Sequence, residues 1–274
     1  MKKLRLLLMA ATALGFLAVP QTASATPMAE QEVNDPLEGI NRTIFNFNTM
    51  VDYILLEPLG QIYHYAMPTP IQTGIQNFLR NLRSPIILAN NLLQVDGDAA
   101  WDTTRRFAIN TTVGVGGVMD IASDIGVGEP QSSGPWAWRT ARADKAQNIP
   151  FRDADFGQTL GVWGWGGGPY LVLPLIGPIN TRDAVGLAAD TYADPVRIYL
   201  TGTNRQDLVY GRVAVDAVDS RSRLIVAIND LRSNSLDYYA TVRSIYAQQR
   251  AEDINKAQYA PVPTIPDYDD DTAE

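Results

Sequence analysis

Few residues in this chain are equipped for chemistry. Cysteine is absent and His64 is the single histidine. That removes thiolate catalysis, disulfides, Cys-held zinc and iron–sulfur clusters, and leaves little for a histidine-rich metal site. His64 lies in Gln61-Ile62-Tyr63-His64-Tyr65, just before Pro68, and reads as an ordinary polar position. The pairs Asp120/Asp124 and Asp190/Asp194 fall at i, i+4 on plausible helix faces. Such spacing suits an acid–base pair in principle, but solvated or capping carboxylates are far commoner. Gly114-Val115-Gly116-Gly117 lacks the spacing of a dinucleotide fingerprint, and no Gly-Lys-Ser/Thr follows either glycine cluster. There is no Gly-x-Ser-x-Gly elbow and no Ser-x-x-Lys. No catalytic residue, metal ligand or cofactor is assigned.

Charge narrows the field further. Lys and Arg number 22 against 30 Asp and Glu, a net −8. The three charges before residue 25 are all basic, so the chain without that segment carries −11. Nucleic-acid binding needs clustered cations, and this balance excludes it as a partner. Lys2, Lys3 and Arg5 precede an uncharged apolar run from Leu6 to Val19, and Ala23-Ser24-Ala25 offers a small-x-small cleavage site. This is a secretory signal peptide over residues 1–25, too short at about 1.5 Å per residue to span a bilayer comfortably. Its removal places the chain outside the cytoplasm.

The remaining sequence supplies helices. Asp35-Pro36-Leu37-Glu38 reads as a cap, a first-turn proline and a capping-box glutamate. Leu37, Ile40, Ile44, Phe47, Val51 and Ile54 then recur at steps of 3 and 4, predicting an amphipathic helix that Pro58 closes. A second helix starts near Pro70 with Ile71, Ile75, Phe78, Leu79 and Leu82, and Ser84-Pro85 is expected to begin another. Trp101, Arg105 and Ala108 continue a further one until the glycines at 114, 116 and 117. Residues 207–250 are again helical in pattern, with a last helix around Tyr238, Val242, Ile245 and Tyr246. Strand-like alternation is sparse. The expectation is a mostly α single domain over 26–250, with an insertion loop at 129–154 and an acidic, proline-rich, disordered tail at 251–274.

One stretch does not fit an ordinary bundle. Residues 156–181 contain no Asp, Glu, Lys, Arg or His, yet seven are glycine and three are proline. Pro169, Pro174 and Gly166-Gly167-Gly168 rule out a continuous lipid-facing helix. Trp163, Trp165 and Tyr170 are aromatics of the kind found at headgroup level. An interfacial segment lining a cavity and a buried glycine-rich core loop both remain open on this pattern.

Several multi-residue blocks resemble the MlaA (VacJ) family of outer-membrane-associated proteins. They begin at Asn34-Asp35-Pro36-Leu37-Glu38-Gly39-Ile40-Asn41-Arg42 with Phe45-Asn46-Phe47-Asn48, and continue through Asn77-Phe78, Asn81-Leu82 and Asn91-Leu92-Leu93-Gln94. Arg106-Phe107, Asn110-Thr111, Gly114, Gly117 and Asp120 follow. The most specific block is Asp155-Phe156-Gly157-Gln158-Thr159-Leu160-Gly161, running into Gly168-Pro169-Tyr170-Leu171-Val172-Leu173-Pro174. Gly177-Pro178, Arg182-Asp183 and Gly186 complete it.

The resemblance implies a ring-like arrangement of amphipathic helices around a channel, lying in the inner leaflet of the outer membrane. It implies no enzyme but a transporter that removes phospholipid misplaced in the outer leaflet. The lipid would pass to an MlaC-like periplasmic carrier, with a trimeric porin alongside. On that basis Trp163, Trp165, Tyr170, Leu171, Leu173 and Phe47 are the lipid-contact candidates, and Gly164, Gly166, Gly167 and Gly168 the hinge candidates. Asn41-Arg42 and Arg182-Asp183 are expected to brace the fold. An envelope adaptor that binds porin without conducting lipid is the competing reading, and a lipid hydrolase the third. Typical members are lipoproteins with a cysteine after the signal peptide, whereas this sequence has none. Attachment is therefore expected to rest on apolar helix faces, on a porin, or on both, at the periplasmic side of the outer membrane.

Overall fold

A computed structural model of the chain describes residues 33–124 and 151–258. The expected signal peptide at 1–25, residues 129–150 of the expected insertion and residues 259–274 of the expected tail lie outside the described residues. From Val33 onward the described residues fall in one unit.

The first helix, α1 (Glu38–Val51), passes through a π-helical turn (Asp52–Leu56) straight into α2 (Glu57–Ala66). Pro58 therefore does not close the segment. Its ring would clash with the carbonyl four residues back, and the wider π turn lies where that clash would fall. Next comes α3 (Thr69–Leu93), which carries Pro85 in its interior instead of breaking there. Ser84 and Pro85 thus do not begin a new helix: neighbours packed along the whole length, with buried residues from Gln72 to Asn91, override the local stop signal.

After α3 come α4 (Gly97–Thr112), the short α5 (Ile121–Asp124) and α6 (Phe156–Val162). The uncharged stretch then folds into an antiparallel hairpin, β1 (Tyr170–Leu173) with β2 (Gly177–Asn180), paired from Tyr170↔Asn180 to Leu173↔Gly177. It is the one sheet among the described residues. Five helices follow: α7 (Thr181–Ala193), α8 (Pro195–Gly202), α9 (Gln206–Arg223), α10 (Ile225–Asn234) and α11 (Tyr238–Gln258). The last helix continues through residues 251–258, the start of the expected tail.

The two-stranded hairpin is completed by a helix. Asn41 donates to the Tyr170 carbonyl and accepts from the Val172 N–H, both at 3.0 Å. One heptad on, Asn48 donates to the Leu173 carbonyl at 2.9 Å and accepts from the Leu175 N–H at 2.8 Å. Seven helical residues rise about 10.5 Å and three strand residues about 10 Å, so the two amides keep step with the strand edge. They stand where a third strand would. Asn41 is buried and Leu175 is exposed. Asn41→Ala is therefore expected to cost about 2 kcal/mol, while Asn48→Ala costs under about 1 kcal/mol because water can reach its partner. Thermal unfolding of both variants measures that difference.

Asp35 does not cap α1, contrary to expectation. The helix begins at Glu38 behind Leu37, with no side-chain cap. The Asp35 carboxylate instead accepts from Asn41 at 2.7 Å, from Arg243 at 2.9 Å and from the Tyr239 hydroxyl. Burial raises its pKa, but those three donors and the Arg243 charge outweigh it and hold Asp35 below the ordinary value of 3.8. It ties the start of α1 to α11, on which Tyr238 and Tyr239 pack around Phe45.

Residues 151–154, the described end of the expected insertion, are anchored in the fold. The Phe151 ring lies 4.9 Å from the Arg80 guanidinium and 5.7 Å from that of Arg106, and Ala154 is buried.

A cavity of mixed chemistry beneath an apolar surface

The helices face the opposite way from those of a protein folded around an oily core. On α1 the buried residues are Asn41 and Phe45, while the apolar stripe of Leu37, Ile40, Phe47 and, one turn past the helix, Ile54 is exposed. On α3, Gln72, Asn81, Ser84, Asn90 and Asn91 are buried alongside Leu79 and Ile87, whereas Ile71, Phe78, Leu92 and Leu93 look outward. On α9 the buried set is Asp219, Arg221 and Ser222, with Leu208, Val213 and Val215 outside. Among the described residues, sixteen buried polar or charged side chains exceed twelve buried hydrophobic ones, so interior cohesion here is largely hydrogen bonding.

Those interior groups are paired into networks. Thr159 donates to Asn90 at 3.0 Å and accepts from Gln94 at 3.0 Å, joining α6 to α3. Asn91 donates to Thr103 at 2.9 Å between α3 and α4. Asp155 caps α6 through the Gln158 N–H and binds Arg250 through both oxygens, at 2.6 and 2.8 Å. Arg250 reaches Asp183 as well, at 2.7 Å, and Asp183 also takes Arg182 and the Tyr246 hydroxyl. Arg182 and Asp183 thus brace the fold; so does Asn41 through the hairpin, and Arg42 is bound to Asp237 and Glu38.

A cavity of about 510 Å³ opens against this network. Arg83 and Ile86 of α3, Ile176, Pro178 and Ile179 of the hairpin, and Leu187 and Asp190 of α7 line it. Arg197 and Leu200 of α8, Val209, Arg212, Val213 and Asp216 of α9, and Tyr246 and Arg250 of α11 line it too, and Asp183 and Thr191 of α7 with the capping Asp155 and Asp194 supply the rest. Branched aliphatics from four helices and the hairpin are interspersed with arginines and aspartates. A site with both chemistries suits an amphiphile better than a purely polar or purely apolar solute.

The residues singled out from sequence are not gathered at one place. Trp163 and Trp165 are about half exposed, at 51% and 47%; Trp163 donates its indole N–H to the Leu93 carbonyl at 3.1 Å and meets the edge of Phe156. Phe47 is exposed on the outer stripe of α1, while its neighbour Phe45 packs inward. Leu171 and Leu173 are half-buried on β1. Tyr170, by contrast, is 1% exposed and belongs to the core with Phe45, Val172 and Tyr239, so it presents no face to lipid. The alternation of the strand turns Tyr170 and Val172 to the core side.

The Tyr170 hydroxyl is buried without a hydrogen-bond partner, and burial pushes its pKa up to about 12. Tyr170→Phe is therefore expected to raise stability by up to about 1 kcal/mol, by relieving an unpaired donor. A melting temperature lowered by several degrees would contradict this.

Of the glycines, Gly164 and Gly168 adopt left-handed φ of 91° and 68°. A Cβ on Gly168 would fall 2.1 Å from the Thr181 hydroxyl, whereas Gly164 and Gly166 have nothing within 4 Å. The segment's far end is fastened, with the Arg182 N–H and the Thr181 hydroxyl both donating to the Gly167 carbonyl.

Sequence reasoning missed Leu175 and Ile176, the tip of the hairpin. Leu175 takes a left-handed φ of 64° and is exposed, and Ile176 both faces outward and lines the cavity. Pro174 and Gly177 flanking two bulky aliphatics were the available signal for an apolar turn. His64 is exposed, packed edge-on against Tyr65. Of the carboxylate pairs, Asp194 caps α8 and binds Arg212 at 2.7 Å, Asp190 accepts from the Phe156 N–H and Asn90, and Asp120 is held by Arg106 and Asn110. Among the described residues no cluster of three or more His, Cys, Asp or Glu is placed to hold a metal, and no helix is long and apolar enough to cross a membrane.

Helices turned apolar side out around a largely polar interior and a mixed-chemistry cavity define a membrane-associated α-helical protein that handles amphiphiles. The comparisons specify it. A family profile described as "MlaA lipoprotein" matches residues 33–253, and the chain belongs to the MlaA family. It is 34% identical over 221 residues to the intermembrane phospholipid transport system lipoprotein MlaA of Escherichia coli, covering 80% of this chain and 78% of that one. An uncharacterised protein of Rickettsia bellii is 34% identical over 220 residues, 80% of this chain and 76% of its own. A solved structure from work on the structural basis for maintenance of bacterial outer membrane lipid asymmetry superposes with a TM-score of 0.64. Its identity is 33%, over 81% of this chain and 99% of that chain.

Proposed function

We propose that the chain transports phospholipid between membranes. It takes up molecules misplaced in the outer leaflet of the outer membrane and passes them to a soluble MlaC-like carrier in the periplasm, which maintains lipid asymmetry. The observation that carries this reading is the pairing of an apolar outer surface with a cavity lined by both aliphatic and charged groups. Left in water, each exposed Leu, Ile or Phe forfeits about 1.5–3 kcal/mol of burial, so the outer stripes of α1, α3 and α9 belong against acyl chains or a trimeric porin. The protein sits at the periplasmic side of the outer membrane on these exposed apolar faces.

Acyl chains run along Ile86, Ile176, Leu187 and Val213, while the headgroup meets the arginines and aspartates. Trp163, Trp165, Phe47, Leu171 and Leu173 contact lipid from the surface. Gly164 and Gly166, which have free space around them, give the 163–168 segment its bending points. No bond is made or broken, and transfer follows differences in affinity for the lipid.

The test uses the full chain extracted in mild detergent, with phospholipid measured by mass spectrometry and transfer to the carrier measured with fluorescent lipid. Wild-type protein is expected to retain phospholipid and pass it on. Ile176→Asp, which puts a charge on the aliphatic wall at an exposed turn, is expected to cut transfer at least tenfold while leaving melting and porin binding unchanged. Lipid-free protein that still binds porin would replace this reading with the adaptor, and lysophospholipid or free fatty acid among the products would replace it with a hydrolase.

A further inference from the structure

The cavity's charges are unevenly satisfied. Four arginines and five aspartates line it, one negative charge in excess. Arg250 is spent on Asp155 and Asp183, Arg212 is bound to Asp194, and Arg83 reaches Asp153. Three groups have no ion pair among the described residues: Arg197, Asp190 and Asp216. Arg197 lies beside the Tyr192 ring, 5.7 Å from its centre. Asp190 accepts from two neutral donors, the Phe156 N–H at 2.9 Å and Asn90 at 3.0 Å. Burial foremost, with the Asp155 charge adding to it, raises its pKa above the ordinary value, against its two hydrogen bonds and the Arg83 charge nearby.

We infer that the cavity selects zwitterionic phospholipids bearing a primary ammonium, with Arg197 taking the phosphate and Asp190 and Asp216 the ammonium. This rests on the transport reading and adds headgroup choice to it. One free cation and two free carboxylates complement a headgroup that carries one phosphate and one ammonium. The anionic headgroup of phosphatidylglycerol offers the carboxylates only neutral hydroxyl donors, and its net negative charge adds repulsion in a partly desolvated space, where charge contacts act more strongly than in water. A primary ammonium also brings three N–H donors, matching two acceptor groups.

The experiment mixes the detergent-extracted full chain with dioleoyl-phosphatidylethanolamine and dioleoyl-phosphatidylglycerol at equal mole fraction, and measures retained lipid by mass spectrometry. At least tenfold more phosphatidylethanolamine is expected on the wild-type protein. Asp216 is exposed, so Asp216→Lys is expected to melt as wild type does and to reverse the preference. Asp207→Asn, an exposed acid on the same helix that does not line the cavity, is expected to leave the ratio unchanged. Equal retention of both lipids, or a ratio untouched by Asp216→Lys, overturns headgroup selection and leaves transport standing. Retention of neither lipid defeats the transport reading itself. Water-soluble glycerophosphoethanolamine is the last arm; if it displaces lipid at comparable concentration, the site takes a free headgroup and the lipid assignment falls.

Discussion

Arg250→Ala is expected to destabilise the protein by about 3–5 kcal/mol, the range for breaking a buried ion pair from one side. The guanidinium binds two carboxylates at once: Asp155, the cap of α6, and Asp183 in the first turn of α7. Removing it leaves Asp183, 7% exposed at its side chain, with Arg182 as its remaining cation. Arg250→Lys recovers only part of the loss, because an ammonium lacks the planar fork that binds both oxygens of Asp155 while also reaching Asp183. Thermal and denaturant unfolding in mild detergent measures the effect, and a change below about 1 kcal/mol would show that the network contributes little.

The pH dependence gives a second readout. Burial alone would raise the Asp183 pKa, but bonds from Arg250 and Tyr246 and the charges of both arginines prevail and hold it below 3.8. A carboxyl lowered on folding contributes stability that is complete above its unfolded pKa and is lost as pH falls through the folded value. The deficit of Arg250→Ala is therefore expected to be full at neutral pH and to shrink below about pH 4, as protonation removes the charge left behind.

Gly186→Val is expected to cost about 3 kcal/mol or more and to separate α6 from α7. A Cβ at Gly186 would lie 2.2 Å from the Gly157 nitrogen and 2.5 Å from its Cα. These are backbone atoms with no rotamer to change, so the helices themselves must part. The reciprocal Cβ on Gly157 would meet Asp183 Oδ1 at 2.7 Å, so opening this contact also disturbs the Arg250 network. Even Gly186→Ala is expected to lower the melting temperature, whereas alanine at Gly211, which has nothing within 4 Å, is the matched control. Equal melting of the two alanine variants would refute the close-contact account.

Much of the fold was legible in the chain because its signals are local. The 3- and 4-residue steps after Leu37 gave α1, and the cluster of glycines and prolines in 156–181 excluded a spanning helix. Asn41, Arg182 and Asp183 were marked as braces before any contact was known. Two stop signals misled, at Pro58 and Pro85, because a π turn and long-range packing absorb what the local rule forbids. Asp35 misled in the same way, its carboxylate being taken by α11 two hundred residues on.

What the sequence determined alone was the set of helices, their two-faced character, the uncharged segment and the family. Periodicity shows that a helix has an apolar and a polar side, but not which medium each side meets. That was decided by tertiary structure, where Asn41, Asn90, Thr159 and Asp183 find partners in the interior and so release the apolar stripes to the outside. The cavity was equally invisible along the chain. Its charges come from residues as distant as Arg83 and Arg250, and only folding determines which are neutralised by one another and which are left without an ion pair among the described residues.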